Sequence, residues 1–595
     1  MEMLSRRRSG VREGARAGFW DGWRLHTAVI TAYVLAAVYV THRLWQDPNG
    51  RLLRNAQDHI FFEWIFAHGA RVVFHGEYPF FTERLNSSAG VNLMANTSVL
   101  GVSLPLAPVT ELFGPGVSVV LFLTLALAGT ATAWYWVLRR HLVSSRTAAI
   151  LGGAFCAFAP GMVSQADGHP NIVAQFVVPF IVARVLLLGR PGRRWLRDGL
   201  ILGGLVVYQA FLNEEVLFFT ALACLVVVLV AVAQNPSLLR RRGPDFLRGL
   251  GVGGLLAVVV LAYPLGVQFF GRQHYSGLWG TTDSADLAQY TAFGQATLAG
   301  NRVAAEISPR PEEETSFFGW PLVILVLLML LVWWRNRTVQ LLAVTGIVFF
   351  LLSLGSTIRL NREPTIHGIW GALEHLPLFD AVVTIRFALV VTTVIGVLLA
   401  VVTDQVMTRS ALTVGWLRRV PAAGLRAGWF VLLAAALVPI LPLHLQPTDE
   451  RPIPAFIADG TWRDYVADGQ TLVSAPLPMA PKPDAMRWAA YQDLDFGLAG
   501  GYFLAPAGGV PGASATFGSP RRPTSDLFYA AAYQGRVPPI GEQERRQAAE
   551  DVAYWRAGVI VVDPALYHVN ALRNLLDQLY GTGHLVGGLW VWDVG

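Results

Sequence analysis

The stretch FFGWPLVILVLLMLLVWWRNRTVQLLAVTGIVFFLLSL, residues 317–354, decides the fold. Its only charges are Arg335 and Arg337, which divide it into two apolar runs, 317–334 and 339–354. Each run approaches the length of about 20 residues that a helix needs to cross a bilayer. The two arginines mark a short turn on the cytoplasmic side, where basic residues collect between spanning segments.

The same pattern recurs along the chain. Of 595 residues, 53% are hydrophobic and only 14% charged. Spanning helices are expected near 25–44, 116–138, 147–161, 171–189, 199–212, 216–233, 249–270, 317–334, 339–354, 384–403 and 427–443, about eleven in all. The net charge of +6 could suggest nucleic acid, but the arginines fall between apolar segments instead of forming one patch, so no nucleic-acid partner is expected. Clusters lie at 6–24, 139–146, 190–197, 240–248, 335–337 and 409–426. With about eleven spans every cluster faces the cytoplasm, together with the N-terminus. The arginine-rich start runs into the first span with no small-residue cleavage site and reads as a signal-anchor. Residues 99–114, with Pro105 and Pro108, read as a re-entrant or surface-lying segment. Cys156 and Cys224 lie in apolar segments and read as structural.

This chain is thus expected to be a polytopic α-helical membrane protein with a C-terminal extracytoplasmic α/β domain. The membrane part covers 1–443, with outward loops at 45–115, 162–170, 271–316 and 355–383. Residues 444–595 change composition and alternate strand and helix patterns. TLVSAPLP reads as a strand, EQERRQAAEDVAYWRAG as a helix ending at Gly558, VIVVDP as a buried strand, VNALRNLLDQLYG as a helix and LWVWDV as a last strand. No internal repeat and no Gly-rich phosphate loop is present.

The candidate chemistry gathers at the outer mouths of different helices. Asp58 lies in QDHIFFEW, within a stretch, 52–73, that reads as an amphipathic helix at the outer interface. It is either a solvated acid or a carboxylate held against apolar surface, able to accept a proton from a hydroxyl. Glu63 is about 140° away around the helix and reads as solvated. Asp167 and His169, in SQADGHPN, form a turn that could also bind a divalent cation or a phosphate. Glu214 and Glu215 read as a polar hairpin turn and a third acidic point. Arg386, in VVTIRFALVV, breaks the inward bias of the arginines; it either snorkels to headgroups or binds a lipid phosphate. His367, Glu374 and His375 are further polar groups in the loop before it. In loop 271–316, Glu312, Glu313 and Glu314 read as a solvated charge run, and Tyr275, Trp279 and Tyr290 would suit sugar stacking.

The plan of many spans, a large first outward loop with an acidic residue, and a C-terminal outward domain resembles the GT-C superfamily of integral-membrane glycosyltransferases. At residue level the resemblance rests on Asp58 in DHIFFEW. The stretches LNSSAGVNLMANTSVL, FFGW, LLSLGSTIRLN, LPLFDAVVTIRFAL and GGYFLAP look like those of actinobacterial membrane proteins described as glycosyltransferases of this type. The paired acids that often mark the first loop of the superfamily are absent, since His59 follows Asp58. The resemblance implies a polyprenyl-phosphate sugar donor, a glycan, lipid or protein acceptor, and transfer with inversion at the extracytoplasmic face of the plasma membrane. Asp58 would be the general base. Arg386 and His169, or a cation (Mg or Mn) held by Asp167 and Glu214 or Glu215, would stabilise the leaving phosphate. The rival readings are a transporter or flippase of a lipid-linked glycan, which tends to show repeats and midplane charges, and a non-catalytic scaffold of envelope assembly.

Overall fold

The structure is a computed structural model that describes residues 2–188, 194–278, 283–300, 302–377, 379–408 and 421–595, with the side chains of 2–22 and 302–303 left out. Trp279 and the arginines at 190, 193, 409, 418 and 419 lie outside the described residues. The apolar runs expected to span are largely helical, though 147–161 covers two helices broken at Ala159 and the run from 171 is interrupted between Val173 and Val178. Among the described residues seven helices are long and apolar enough to cross a membrane, and eight if one bent pair counts as a single span. Trp320–Trp333 and Arg337–Ser353 are apolar but shorter. At 1.5 Å per residue their 14 and 17 residues reach about 21 and about 26 Å, short of a hydrocarbon core of about 30 Å. The chain is a multi-pass membrane protein, and length and composition support fewer spans than the expected eleven. Residues 99–114 form two helices of 4 and 7 residues, too short to cross.

The elements that carry the site are α1 (Glu2–Gln46), α2 (Ala56–His75), α3 (Pro115–His141), α4 (Arg146–Phe158), α5 (Pro160–Ala166), α6 (Glu214–Gln234), α7 (Ala388–Thr408) and α8 (Asp484–Ala490). Helix α2 starts at Asn55, whose side chain accepts from the Asp58 amide at 3.4 Å, and stops at Gly76, which takes the left-handed conformation (φ 68°). An interfacial helix would leave one face to lipid or water. Instead α2 is buried all round from His59 to Ala70, against α3 on one side and α8 on another. Its aromatics point in every direction, so no single apolar stripe exists to float on a bilayer.

Between α4 and α5 the chain bends by 42° at Ala159, which is extended (φ −61°, ψ 155°) because Pro160 disfavours a helical residue before it. The bend redirects α5, so that Gln165 and the turn at 167–169 arrive beside the start of α2.

In the C-terminal region the main sheet comprises β1 (Thr471–Ser474), β2 (Gly497–Leu498), β3 (Ala557–Val562), β4 (His584–Val586) and β5 (Leu589–Asp593), in the order β4–β5–β3–β1–β2. Strand β3 runs parallel to β1 and antiparallel to β5. Every residue of β3 is buried, and the period of two splits them between two cores. Val559 and Val561 join the core of the membrane part, whereas Ile560 and Val562 pack with Phe528, Leu572 and Leu576 of the outer helices. The apolar run VIVV is continuous because the strand is covered on both faces. The helix before β3 ends at Trp555, with Arg556 in the left-handed conformation, so Gly558 lies in the strand and does not stop the helix as expected.

Candidate active site

Asp58 sits in the first turn of α2 with 17% of its side chain exposed. The phenol of Tyr502 donates to its Oδ1 at 2.8 Å, Asn55 Nδ2 donates to its Oδ2 at 2.8 Å, and His169 Nε2 lies 3.2 Å from Oδ2. Tyr502 is held by Phe61, edge-on with centroids 6.2 Å apart, and by Phe517, stacked at 5.3 Å. Thus the aromatic run of α2 aims a C-terminal tyrosine at the acid next to it. A carboxylate offers about four lone-pair positions. The donors Tyr502 and Asn55 occupy two of them and leave room on Asp58 for an incoming hydroxyl.

His169 continues the network inward. Its Nδ1 is 2.9 Å from Gln165 Oε1 and 3.8 Å from Glu313 Oε1. Gln165 donates through Nε2 to Glu313 Oε2 at 2.8 Å, so its Oε1 is the acceptor for a proton on His169 Nδ1. Nε2, facing Asp58, is then the nitrogen that gains or loses a proton.

Glu313 is 1% exposed at its side chain, and Glu312 and Glu314 are buried with it, which corrects the reading of a solvated charge run. Ser164 of α5 explains the placement: its Oγ donates to Pro311 O and accepts from the Glu314 amide, both at 2.8 Å. Thr315 Oγ1 in turn donates to Ile385 O at 2.8 Å and brings the loop against the turn before α7. There Arg386 meets Glu313 through Nη2 at 2.5 Å and Nε at 3.1 Å, and Glu215 Oε2 through Nη1 at 2.7 Å. Three steps, Asp58 to His169, His169 to Glu313 and Glu313 to Arg386, therefore join the two residues in one polar chain. Burial pushes the Glu313 carboxyl up, but Arg386 and His169 outweigh it and bring the carboxyl down to about 2.

A stability prediction follows with a definite sign. A carboxyl held at about 2 rather than the ordinary 4.5 stabilises the fold by about 3 kcal/mol near neutrality. That stability is present above pH 4.5 and is lost as pH falls through about 2. The melting temperature of the detergent-solubilised protein is expected to drop as pH falls from about 4.5 to about 3, and Glu313→Gln to flatten that drop. A wild-type profile as flat as the variant's contradicts it.

The other expected site residues have separate partners. Asp167 accepts from the Arg54 amide at its Oδ1 (3.3 Å) and from the Asn55 amide at its carbonyl (3.2 Å), pinning the turn that caps α2. Burial pushes its carboxyl up to about 7. At Gly168 beside it a Cβ would lie 3.0 Å from Glu312 Cβ and 3.1 Å from Asn55 Cβ, so any side chain there would push on both neighbours. Glu214 Oε2 accepts from Gln268 Nε2 at 2.8 Å, while Glu215 faces Arg386. Among the described residues no group of three or more His, Cys, Asp or Glu is placed to hold a metal ion. Asp167, Glu214 and Glu215 thus do not fit as a metal-ligand set. Tyr290 is buried with its hydroxyl 2.6 Å from Ser353 Oγ, and the hydroxyl of the half-buried Tyr275 donates to Ala95 O.

Glu63 is also corrected: it is fully buried, with Arg487 Nε 3.0 Å from Oε2 and the Tyr491 hydroxyl donating to Oε1 at 2.9 Å. It joins α2 to α8 and faces away from Asp58's partners. Beside the helix headed by Arg386 lies an apolar groove of about 330 Å3, lined by Leu322, Val326, Leu330, Phe350, Val394 and others.

The overall fold has counterparts among known structures. The arabinofuranosyltransferase AftD from Mycobacteria aligns with a TM-score of 0.54 over 96% of this chain at 12% identity. ArnT from Cupriavidus metallidurans, bound to undecaprenyl phosphate, aligns with a TM-score of 0.50 over 96% of this chain and 98% of its own, at 14% identity. The chain shares its fold with these two proteins, which are GT-C glycosyltransferases. The chain spans 40% of the length of AftD. The pattern of a family of unknown function, DUF6541, matches residues 97–371, and no curated protein matches the sequence. That segment of the GT-C fold includes His169, Glu215 and Glu313 but neither Asp58 nor Arg386.

Glu313, Gln165, Asn55 and Tyr502 were not expected at the site. One signal was available for Glu313. An arginine at the outer mouth of a span needs a carboxylate partner, and the EEE at 312–314 lies just before an apolar segment.

Proposed function

We propose that this protein transfers a sugar from a polyprenyl-phosphate donor to a hydroxyl-bearing cell-envelope acceptor at the outer face of the membrane. The observation that carries the reading is the continuous chain Tyr502–Asp58–His169–Glu313–Arg386, partly open at Asp58 and anchored in buried charge at its far end. Asp58 takes the proton of the acceptor hydroxyl as its oxygen bonds to the sugar's anomeric carbon. The bond from that carbon to the phosphate oxygen breaks, and the lipid phosphate leaves with the electron pair from the opposite side, so the configuration inverts. His169 Nε2 accepts the proton from Asp58 and passes it to the departing phosphate. The apolar groove along α7 suits the prenyl chain, since lipid sites are apolar clefts with a few polar groups at one end.

For the donor phosphate, the half of the Arg386 fork bound to Glu215 is the exchangeable half. Glu215 Oε1 is buried without a hydrogen-bond partner, whereas the Glu313 half is tied on both oxygens. Glu215→Gln is expected to lower the KM for a polyprenyl-phosphate sugar several-fold, and Arg386→Lys to raise it, because ammonium lacks the bidentate geometry. Equal KM values in all three proteins rule out phosphate binding at Arg386. The proposed activity itself is tested in proteoliposomes supplied with labelled polyprenyl-phosphate sugars and oligosaccharide acceptors. Labelled product together with free polyprenyl phosphate is the expected result. Movement of intact donor across the bilayer without either product identifies a transporter instead.

A further inference from the structure

A second cleft, of 880 Å3, lies between the loop after α2 (77–87) and the C-terminal residues 462–497, with Arg556 at its edge. None of its lining residues belongs to the Asp58 network. The cleft begins at Glu77, just past the end of α2, whereas Asp58 is at the start of that helix. The 17 residues from Asp58 to His75 put it about 26 Å from the acid.

The walls are polar and held in place before any ligand arrives. Arg71 Nε and Arg84 Nη2 both donate to Glu77 Oε1 at 2.6 Å. Arg71 Nη1 reaches Asp495 Oδ1 at 3.2 Å, and Arg463 Nη2 reaches its Oδ2 at 3.1 Å. The guanidinium of Arg463 stacks 4.5 Å from the ring of Trp462. The result is a rigid array of planar donors and acceptors, with Tyr78, 44% exposed, at the rim. Vicinal hydroxyls are recognised by such planar groups, which bridge neighbouring oxygens, while aromatic faces pack against the C–H faces of sugar rings. Preset side chains also lower the ordering cost of binding. The lining carries the carboxylates of Glu77, Glu83, Asp468 and Asp495 and the guanidiniums of Arg84, Arg463 and Arg556. Charges of both signs in near balance give a polyanion no net attraction. The volume falls in the upper part of the range of about 300–1,000 Å3 found for small-molecule sites.

We propose that this cleft is a binding site for a neutral oligosaccharide. Resting on the function proposed above, it holds a remote segment of a polymeric acceptor while the growing end reaches Asp58. Two sites this far apart favour an acceptor of several sugars over a monosaccharide. The binding itself does not depend on transfer.

The test is isothermal titration calorimetry on the full chain in detergent with neutral hexasaccharides of glucose, mannose and arabinose, and with a sulfated hexasaccharide. At least one neutral hexasaccharide is expected to bind. The double variant Tyr78→Ala/Arg463→Ala, truncated at exposed positions and checked for an unchanged melting temperature, is expected to bind it about tenfold more weakly or worse. Asp58→Asn is expected to bind it as the wild type does. No binding by any neutral hexasaccharide, undiminished binding by the double variant, or binding of the sulfated sugar alone overturns the proposal. Binding that survives as expected, in a protein whose Asp58→Asn variant shows wild-type transfer, keeps the cleft and removes the catalytic reading.

Discussion

Asp58→Asn is expected to reduce sugar transfer by about 10²–10⁴-fold, the range for loss of a positioned general base. The amide matches the carboxylate in size, so the start of α2 keeps its shape. Tyr502 can still donate to the remaining oxygen, and the new NH2 meets His169 Nε2, an acceptor when the ring proton is on Nδ1, while the bond from Asn55 Nδ2 is lost. What disappears is the capacity to take a proton. The loss should therefore fall on kcat, with the donor KM little changed. The measurement is initial-rate kinetics in proteoliposomes, following both glycosylated product and released polyprenyl phosphate. A rate within about threefold of wild type excludes Asp58 as the base, and is also what a scaffold would give.

Arg487→Ala is expected to destabilise the protein by about 3–5 kcal/mol, the cost of removing one partner from a buried ion pair. Arg487 is 4% exposed and Glu63 fully buried. Arg487 also donates to Asn49 O in the turn after α1 and covers the Tyr491 ring at 4.7 Å, so its loss breaks several contacts at once. The pH dependence has a definite sign. Burial pushes Glu63 up to about 7 against the pull of Arg487 and Tyr491. A carboxyl raised above its ordinary 4.5 costs stability as pH rises through that window. Without Arg487 the cost grows, so the variant's deficit should be larger at pH 8 than at about pH 5.5. Glu63→Met/Arg487→Met should recover much of the loss, because replacing both partners leaves no uncompensated charge. Melting curves of the three proteins at the two pH values decide the matter. A deficit under about 1 kcal/mol would place this pair among weak surface bridges.

These two predictions draw on different parts of the sequence. Asp58 was legible as a candidate because an acid in an aromatic run is costly to place, and its angular separation from Glu63 follows from helix geometry alone. The two carboxylates do have different partners. What the angle could not say is that Glu63 faces Arg487, 424 positions away, instead of water. Likewise EEE at 312–314 has the composition of a solvated run. It becomes a buried anchor only because Ser164 and Thr315 fasten its loop beside Arg386. Tyr502 had no signature beyond lying in GGYFLAP.

By itself the sequence determined that this chain lives in a bilayer, which arginine clusters punctuate its apolar runs, and that strands and helices alternate in the last 150 residues or so. Those properties are local: transfer of a run into lipid and the period of a strand depend on a few successive residues. The tertiary structure alone decided which carboxylates are solvated and which are paired. It also decided that β3 serves two cores, and that Asp58 and Arg386 belong to one network. A buried charge is tolerated only with a partner, and here the partners lie 73 to 424 positions apart. Only the folded chain brings them within a few ångströms.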